Sequence, residues 1–401
     1  MFRTQRKWLS AAALTAVIAL AVTGCSGASD GGSADTDEPI LIGGAMSLTG
    51  DFQITGTGAR AAAEYAVQEI NEAGGLLGRQ VELDIRDDQS KPDQAAVAFQ
   101  DLADDVDVFI GPSGSNSAVA VLDFVERQQI PMVASAATSE QVDPVHDWIY
   151  QAPTSGSDVG TQMGDYVVDE GYSSVFGIVN KEEAGLTEGW DAMKSGLEES
   201  DVAVAGVAEV STTTTDYSAA IAQAQSSGAE IVAVMVAGPP ALAFATQYAS
   251  SGNAAPVIMT NAVASDYFVK GGGEDVNGTL VAAALPVVTD SLADSGQKTA
   301  MAEMIEGFTQ ETGAAPDAFA YHAYTAMQVI FAAIEKAGST DHQAVRDALS
   351  TLEVDTVIGP IEYSDTNHGG PGAEYIAITK IADGEMIGEP WSVTNLDALF
   401  K

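Results

Sequence analysis

The sequence predicts an α/β protein built from two doubly wound parallel sheets, and three observations carry that expectation. From Ile40 onward, short apolar runs alternate with longer segments of helical spacing, as strands alternate with the helices that cover them. The chain has 401 residues, more than one typical domain and enough for two. Breaker-rich stretches interrupt the alternation at Ala152-Pro153-Thr154-Ser155-Gly156-Ser157, after about one sheet's worth of elements, and again at Ala284-Leu285-Pro286.

The N-terminal segment has its own logic. Arg3, Arg6 and Lys7 precede an apolar run from Trp8 to Val22, and Thr23-Gly24 lead to Cys25, the only cysteine. This is the layout of a lipoprotein export signal, with residues 1–24 removed and Cys25 left as a lipid-bearing first residue. The run is shorter than the ~20 residues a membrane-spanning helix needs. The expected location is the outer face of the cell membrane, held by lipid alone. Residues 25–39 are rich in Gly, Ser, Asp and Ala without an apolar period, and read as a flexible tether reaching roughly 20 Å. With its cysteine committed, the chain can form no internal disulfide, and its fold must stand on its core.

Buried strands are expected at 40–46, 81–85, 106–110, 131–134, 175–179, 231–236 and 257–260. After the first of these, Ala62, Tyr65, Ala66, Glu69 and Ile70 have helical spacing that puts the apolar members on one face. Further helices are expected to begin near Gln94, Ser117, Asp158, Asp216, Pro240, Gln297, His322 and Asp341. No short-period repeat appears, which excludes a solenoid.

The formal net charge is -41. Such a surface repels polyanions, so nucleic acid is excluded as a partner. Anionic headgroups are repelled too, which leaves membrane attachment to the lipid. The acidity suits a high-salt habitat, where self-repulsion is screened, and equally a host's general amino-acid usage.

Enzymatic chemistry is not legible. The four histidines, His146, His322, His342 and His368, have no metal-ligand spacing and read as surface or packing residues. There is no Gly-x-Ser-x-Gly elbow. Gly111-Pro112-Ser113-Gly114-Ser115 lacks the Lys-Ser/Thr pair of a P-loop, and Ile42-Gly43-Gly44-Ala45-Met46 does not complete a dinucleotide fingerprint. No cofactor, metal site or catalytic residue is expected.

Two loops do carry a signal. Residues 111–117 lie between an expected strand and an expected helix, with hydroxyls at Ser113, Ser115 and Ser117. Residues 132–138 repeat the arrangement one unit later and end in Thr138 before Ser139-Glu140-Gln141. Free backbone N–H groups at a helix start bind carboxylates, and ligands of parallel sheets sit at strand carboxyl ends. Ser115 and Thr138 fit two roles, helix cap and ligand contact, and the two are not exclusive.

At this point the chain resembles the leucine/isoleucine/valine-binding family, the type I periplasmic binding proteins that feed ABC importers. The likeness runs from about Ile40 to about Asp383. Its landmarks are Ile42-Gly43-Gly44-Ala45-Met46-Ser47-Leu48-Thr49-Gly50, Ile70-Asn71-Glu72-Ala73-Gly74-Gly75-Leu76-Leu77-Gly78, Asp87-Asp88-Gln89-Ser90-Lys91-Pro92 and Val354-Asp355-Thr356-Val357-Ile358-Gly359-Pro360. The resemblance implies two lobes joined by three hinge crossings and closing on a ligand. It divides the chain into an N-terminal lobe, 40–153 with 287–375, and a C-terminal lobe, 154–286 with 376–401. It implies that a ligand carboxylate rests on Ser115, on Ala136 through its backbone and on Thr138, with Phe319 as an aromatic neighbour. Three tyrosines of the branched-chain binders have their counterparts here in Thr55, Ala184 and Ala237. The acidic partner of the ligand's ammonium group is matched by the neutral Asn261, a poorer partner for a buried cation. Two positions that hold paired cysteines in some relatives are Ser90 and Gly114 here.

The function expected is a lipid-anchored receptor of an ABC importer, with permease subunits as partners. Its ligand would be a small carboxylate-bearing molecule, with a branched-chain or other aliphatic amino acid first. The small residues Ala184 and Ala237 keep an aromatic acid, amide or urea-type ligand open, and a sensory ligand-binding protein is the other alternative.

Overall fold

The structure, a computed structural model, describes residues 38–400. The expected signal, Cys25 and nearly all of the tether lie outside the described residues.

The chain begins as a doubly wound unit: β1 (Ile40–Met46), α1 (Gln53–Glu72), β2 (Val81–Asp87), α2 (Pro92–Leu102), β3 (Val108–Ile110), α3 (Ser115–Gln128), β4 (Met132–Ala134) and β5 (Ile149–Gln151). These strands form a parallel sheet in the order β2-β1-β3-β4-β5. A second unit follows: α4 (Gly156–Asp169), β6 (Ser174–Asn180), α5 (Ala184–Glu199), β7 (Ala203–Val210), α6 (Ser218–Ser227), β8 (Ile231–Met235), α7 (Gly238–Ser250), β9 (Val257–Met259), α8 (Asp266–Gly272) and β10 (Leu280–Ala284). Its strands run in the order β7-β6-β8-β9-β10, the same winding as the first sheet. The chain then adds α9 (Gly296–Thr312), α10 (Ala318–Ala337), α11 (His342–Leu349) and the hairpin β11 (Glu353–Thr356) with β12 (Gly359–Glu362). Finally β13 (Ile376–Ala382) and β14 (Glu385–Gly388) extend the second sheet antiparallel beyond β10, and α12 (Pro390–Leu399) closes the chain.

Side-chain alternation places a core on each face of each sheet. Val108, Ile110 and Val133 pack with Tyr65, Met301, Phe308, Met327 and Ile330 from α1, α9 and α10. Phe109, Met132 and Ala134 point the other way, onto Phe99, Leu102, Val121 and Val125 of α2 and α3. In the second sheet Val232 and Val234 meet α6, α7 and α8, whereas Ile231, Ala233 and Met235 meet α4 and α5. Helices α9 and α10 follow the second sheet in sequence yet cover the first, so the chain passes between the lobes three times: before α4, before α9 and before β13. The fold is that of two doubly wound lobes joined by three crossings.

The expected strands are all present, and every expected helix start falls within four residues of an observed one. Strands β5, β7, β10 and β11 to β14, and helices α5, α8 and α12, had no counterpart in the sequence reading.

Candidate functional site

Both sheets reverse their winding at the first strand of the unit, between β1 and β3 and between β6 and β8, and ligands of such folds collect outside the carboxyl ends at this point. The two lobes turn these ends toward each other. Between them lies a cavity of about 70 Å3, room for roughly five waters at ~10–15 Å3 each. Its walls are the turn after β1 (Phe52, Thr55), the turn after β3 (Ser113 to Ser115), Ala137, the turn after β6 (Glu183, Gly185, Leu186), Ala237 after β8, Thr260 to Ala262 after β9, and the start of α10 (Phe319, His322). A larger groove of about 610 Å3 lies elsewhere, along Asp266, Asp290, Glu306 and Glu385. It is more open and lies away from the switch points, so the interlobe cavity is the candidate site.

The wall from the first lobe is held from behind. Buried Asp88, at the end of β2, accepts from Ser47 Oγ at 2.7 Å and from Ser90 N at 2.8 Å. The Ser47 backbone N–H in turn donates to Ser113 Oγ at 3.2 Å. Burial pushes the Asp88 carboxyl up, against the pull of these bonds. Helix α3 then starts at Ser115 with Gly114 as its N-cap and no side-chain cap, so the N–H groups of its first turn have no capping side chain.

Ser115 therefore sits at the first helical position and does not cap α3. Thr138 does not cap either: its hydroxyl donates across the cleft to Glu188 Oε2 at 2.9 Å. Ser115, Thr55, Phe319, Asn261 and Ala237 are brought together around the cavity. Ala136, Thr138 and Ala184 are not on its walls; their neighbours Ala137, Glu183 and Gly185 are. The Ala136 carbonyl is taken by Gln141 Nε2 at 2.9 Å. The Thr55 hydroxyl donates to the Phe52 carbonyl at 2.7 Å, and Asn261 Oδ1 accepts from Thr260 Oγ1 at 3.1 Å.

Two titratable lining residues were missed in the sequence. Glu183 ends the loop after β6, and its Oε1 accepts from Asn116 Nδ2 at 3.1 Å. Burial first, and the adjacent Glu182 second, raise its carboxyl to about 7. His322 is 2% exposed, and burial lowers its ring to about 4. The other histidines behave as structural residues where their contacts are resolved: His342 bonds the Val106 carbonyl, and His368 stacks on Tyr150 with ring centroids 4.0 Å apart. No group of three or more His, Cys, Asp or Glu among the described residues could hold a metal ion.

The lobes touch across the cavity. Asn116 of α3 donates to the Glu182 carbonyl at 2.7 Å and accepts from Ala184 N at 3.2 Å. Glu188 of α5 accepts from Ser139 N at 2.9 and 3.1 Å, besides Thr138, and from Ser157 N at 2.8 Å. The arrangement is a closed one.

Two like-wound lobes, three crossings and a cavity walled by both sets of strand ends define a type I periplasmic binding protein. The chain belongs to the periplasmic binding protein family, whose profile matches residues 39–385. It is similar to Leu/Ile/Val-binding protein homolog 3 of Brucella melitensis, with 28% identity over 356 residues, 87% of this chain and 93% of that one. In fold it is similar to an extracellular ligand-binding receptor from Rhodopseudomonas palustris HaA2, with a TM-score of 0.81, 21% identity and coverage of 88% of this chain and 100% of that one. It is similar, too, to the branched-chain amino acid transporter substrate binding protein LivJ from Streptococcus pneumoniae in complex with isoleucine, with a TM-score of 0.76, 19% identity and coverage of 87% and 98%.

Proposed function

We propose that this binding protein is the exported receptor of an ABC importer and that it takes a small α-amino acid, an aliphatic one first. The observation that carries the proposal is the uncapped start of α3 opening into the interlobe cavity, with the Ser113 and Ser115 hydroxyls beside it. Backbone N–H groups, the helix dipole and two hydroxyls suit a carboxylate without any basic side chain. The small volume and the apolar Leu186, Ala237 and Phe319 walls suit a short aliphatic side chain. The names of the relatives point the same way. In this proposal the lobes are 40–153 with 287–375 and 154–286 with 376–401; they separate to admit the ligand, and permease subunits receive it from the closed form.

Calorimetric titration with the twenty amino acids tests the proposal. At least one aliphatic amino acid should bind, and Ser115→Ala should weaken it by about one to two orders of magnitude, the value of a hydrogen bond to a charged group at roughly 1.5–3 kcal/mol. Unchanged affinity in Ser115→Ala would remove the carboxylate from α3.

Attachment is proposed through a lipid on Cys25, from its position behind a short apolar run. Cys25→Ala should shift the protein from the membrane fraction to the external fluid. Equal membrane retention would show that the lipid is not the anchor. No helix among the described residues is long and apolar enough to cross a membrane.

A further inference from the structure

Among the described residues, the cavity wall carries one polar side chain without a hydrogen-bond partner and one carboxylate without a cation. His322 lies almost wholly buried on the wall, and neither Nδ1 nor Nε2 has a partner among the described residues. A neutral imidazole carries one donor and one acceptor, so both go unused. Glu183 is half-buried on the opposite lobe and is held only through the Asn116 amide. No Lys or Arg among the described residues lines the cavity. Removing a carboxylate from water with no cation beside it is unfavourable.

The placement of Glu183 matters as much as its charge. Asn116 lies in the first turn of α3, and its one side chain reaches both Ala184 N and Glu183 Oε1. The anion-seeking helix start and the cation-seeking carboxylate are therefore one side chain apart. An α-amino acid carries its carboxylate and its ammonium on a single carbon, with the same adjacent opposite charges.

We propose that Glu183 is the counter-charge for the ligand's ammonium group and that His322 hydrogen-bonds the ligand beside it, so that amino acids are selected over their deaminated analogues although Asn261 is neutral. This rests on the amino-acid reading above and deepens it. A salt-bridged ammonium would compensate the buried carboxylate, and the ligand would take the imidazole's free donor or acceptor.

Protonation of Glu183 supplies a signature. Its carboxyl is raised to about 7 by burial and by Glu182 on the same loop. Lys181 on the same loop is paired with Asp191 at 3.4 Å, Asn116 of α3 is neutral, and the side chains that line the cavity with Glu183 carry no charge, His322 being held neutral by burial. An ammonium group needs the ionised form. Affinity for an amino acid should therefore rise about tenfold from pH 6 to pH 8, as the carboxylate ionises.

The test is calorimetric titration of the full chain with the tightest of the twenty amino acids and with its 2-hydroxy analogue, which keeps the carboxylate and lacks the ammonium. Glu183→Gln should weaken the amino acid by about ten- to a hundredfold, change the 2-hydroxy acid by less than about twofold, and flatten the pH profile. His322→Phe, which keeps a ring against Phe319, should weaken the amino acid by about three- to tenfold. Equal effects on both ligands, or a wild-type affinity that falls with rising pH, would overturn the assignment while leaving the receptor reading in place. Failure of all twenty amino acids to bind wild type would overturn that reading itself, and the inference with it. Should Glu183→Gln not fold, as judged by its urea midpoint, the wild-type pH profile still decides.

Discussion

Gly160→Val is expected to destabilise the protein by about 3 kcal/mol or more, at or beyond the upper end of the usual overpacking range. Helices α4 and α5 pack backbone against backbone. A Cβ on Gly160 would fall inside the carbonyl oxygen of Gly189, and one on Gly156 inside that of Gly185. The obstacle in each case is main chain, which cannot rotate away as a side chain can, so the two helices must separate. Gly196→Ala, also in α5, is the control. A Cβ there meets nothing within 4 Å, and relief of glycine's backbone freedom should stabilise by about 0.5–1 kcal/mol. Urea midpoints of the two variants should therefore move in opposite directions. A wild-type midpoint in Gly160→Val would mean that α4 and α5 are not held in backbone contact. The effect reaches the site as well. Gly156 and Gly185 at the starts of these helices line the cavity, and α5 carries Glu188 and directly follows Glu183. A wedge at Gly160 should cost affinity in whatever fraction still folds.

The legible parts of the chain were those in which burial is dense. Strand β8, Ile-Val-Ala-Val-Met, is buried at every residue and reads directly as a central strand. Strand β7 does not: it lies at the edge of its sheet, with Gly206 inside it and mostly exposed or half-exposed residues. Strand β5 is three residues long and offers no period at all. The cradle at Ser113 to Ser115 was legible because strand, glycine turn and helix start are adjacent in sequence. Thr138 was legible as a hydroxyl at an element boundary, but its actual partner, Glu188, is fifty residues away on the other lobe. Glu183 was hidden by its company, one carboxylate among 57 acidic residues. The same strand-end rule that found Ser115 would have found it, had it been applied to the loop that follows Val179. His322 lies three residues after Phe319 on one helix face, a spacing that packing and ligand contact share.

Glu188→Ala is expected to weaken amino-acid binding by about a hundredfold without touching the ligand. Glu188 belongs to α5 of the second lobe, yet its carboxylate accepts from Thr138 Oγ1 and Ser139 N of the first lobe. The third bond, from Ser157 N at the start of α4, stays within the second lobe and fixes the carboxylate's position. Hydrogen bonds to a charged group contribute about 1.5–3 kcal/mol each. Because Glu188 is only partly buried, the two crossing bonds together are set near the lower end, at about 3 kcal/mol, or two decades in the closing equilibrium. When only the closed form binds tightly, the observed affinity falls with the closed fraction. Glu188→Gln keeps an acceptor and loses the charge, so it should fall between alanine and wild type. Small-angle scattering separates this effect from loss of a ligand contact. Wild type should compact at modest amino-acid concentration, whereas Glu188→Ala should need roughly a hundredfold more ligand to reach the same radius of gyration. Ser115→Ala raises the ligand requirement too, but leaves the unliganded radius as in wild type, whereas Glu188→Ala should enlarge it wherever the free protein already samples the closed form. Unchanged affinity and an unchanged scattering titration in Glu188→Ala would reduce the crossing to an incidental contact and leave lobe closure to the ligand alone.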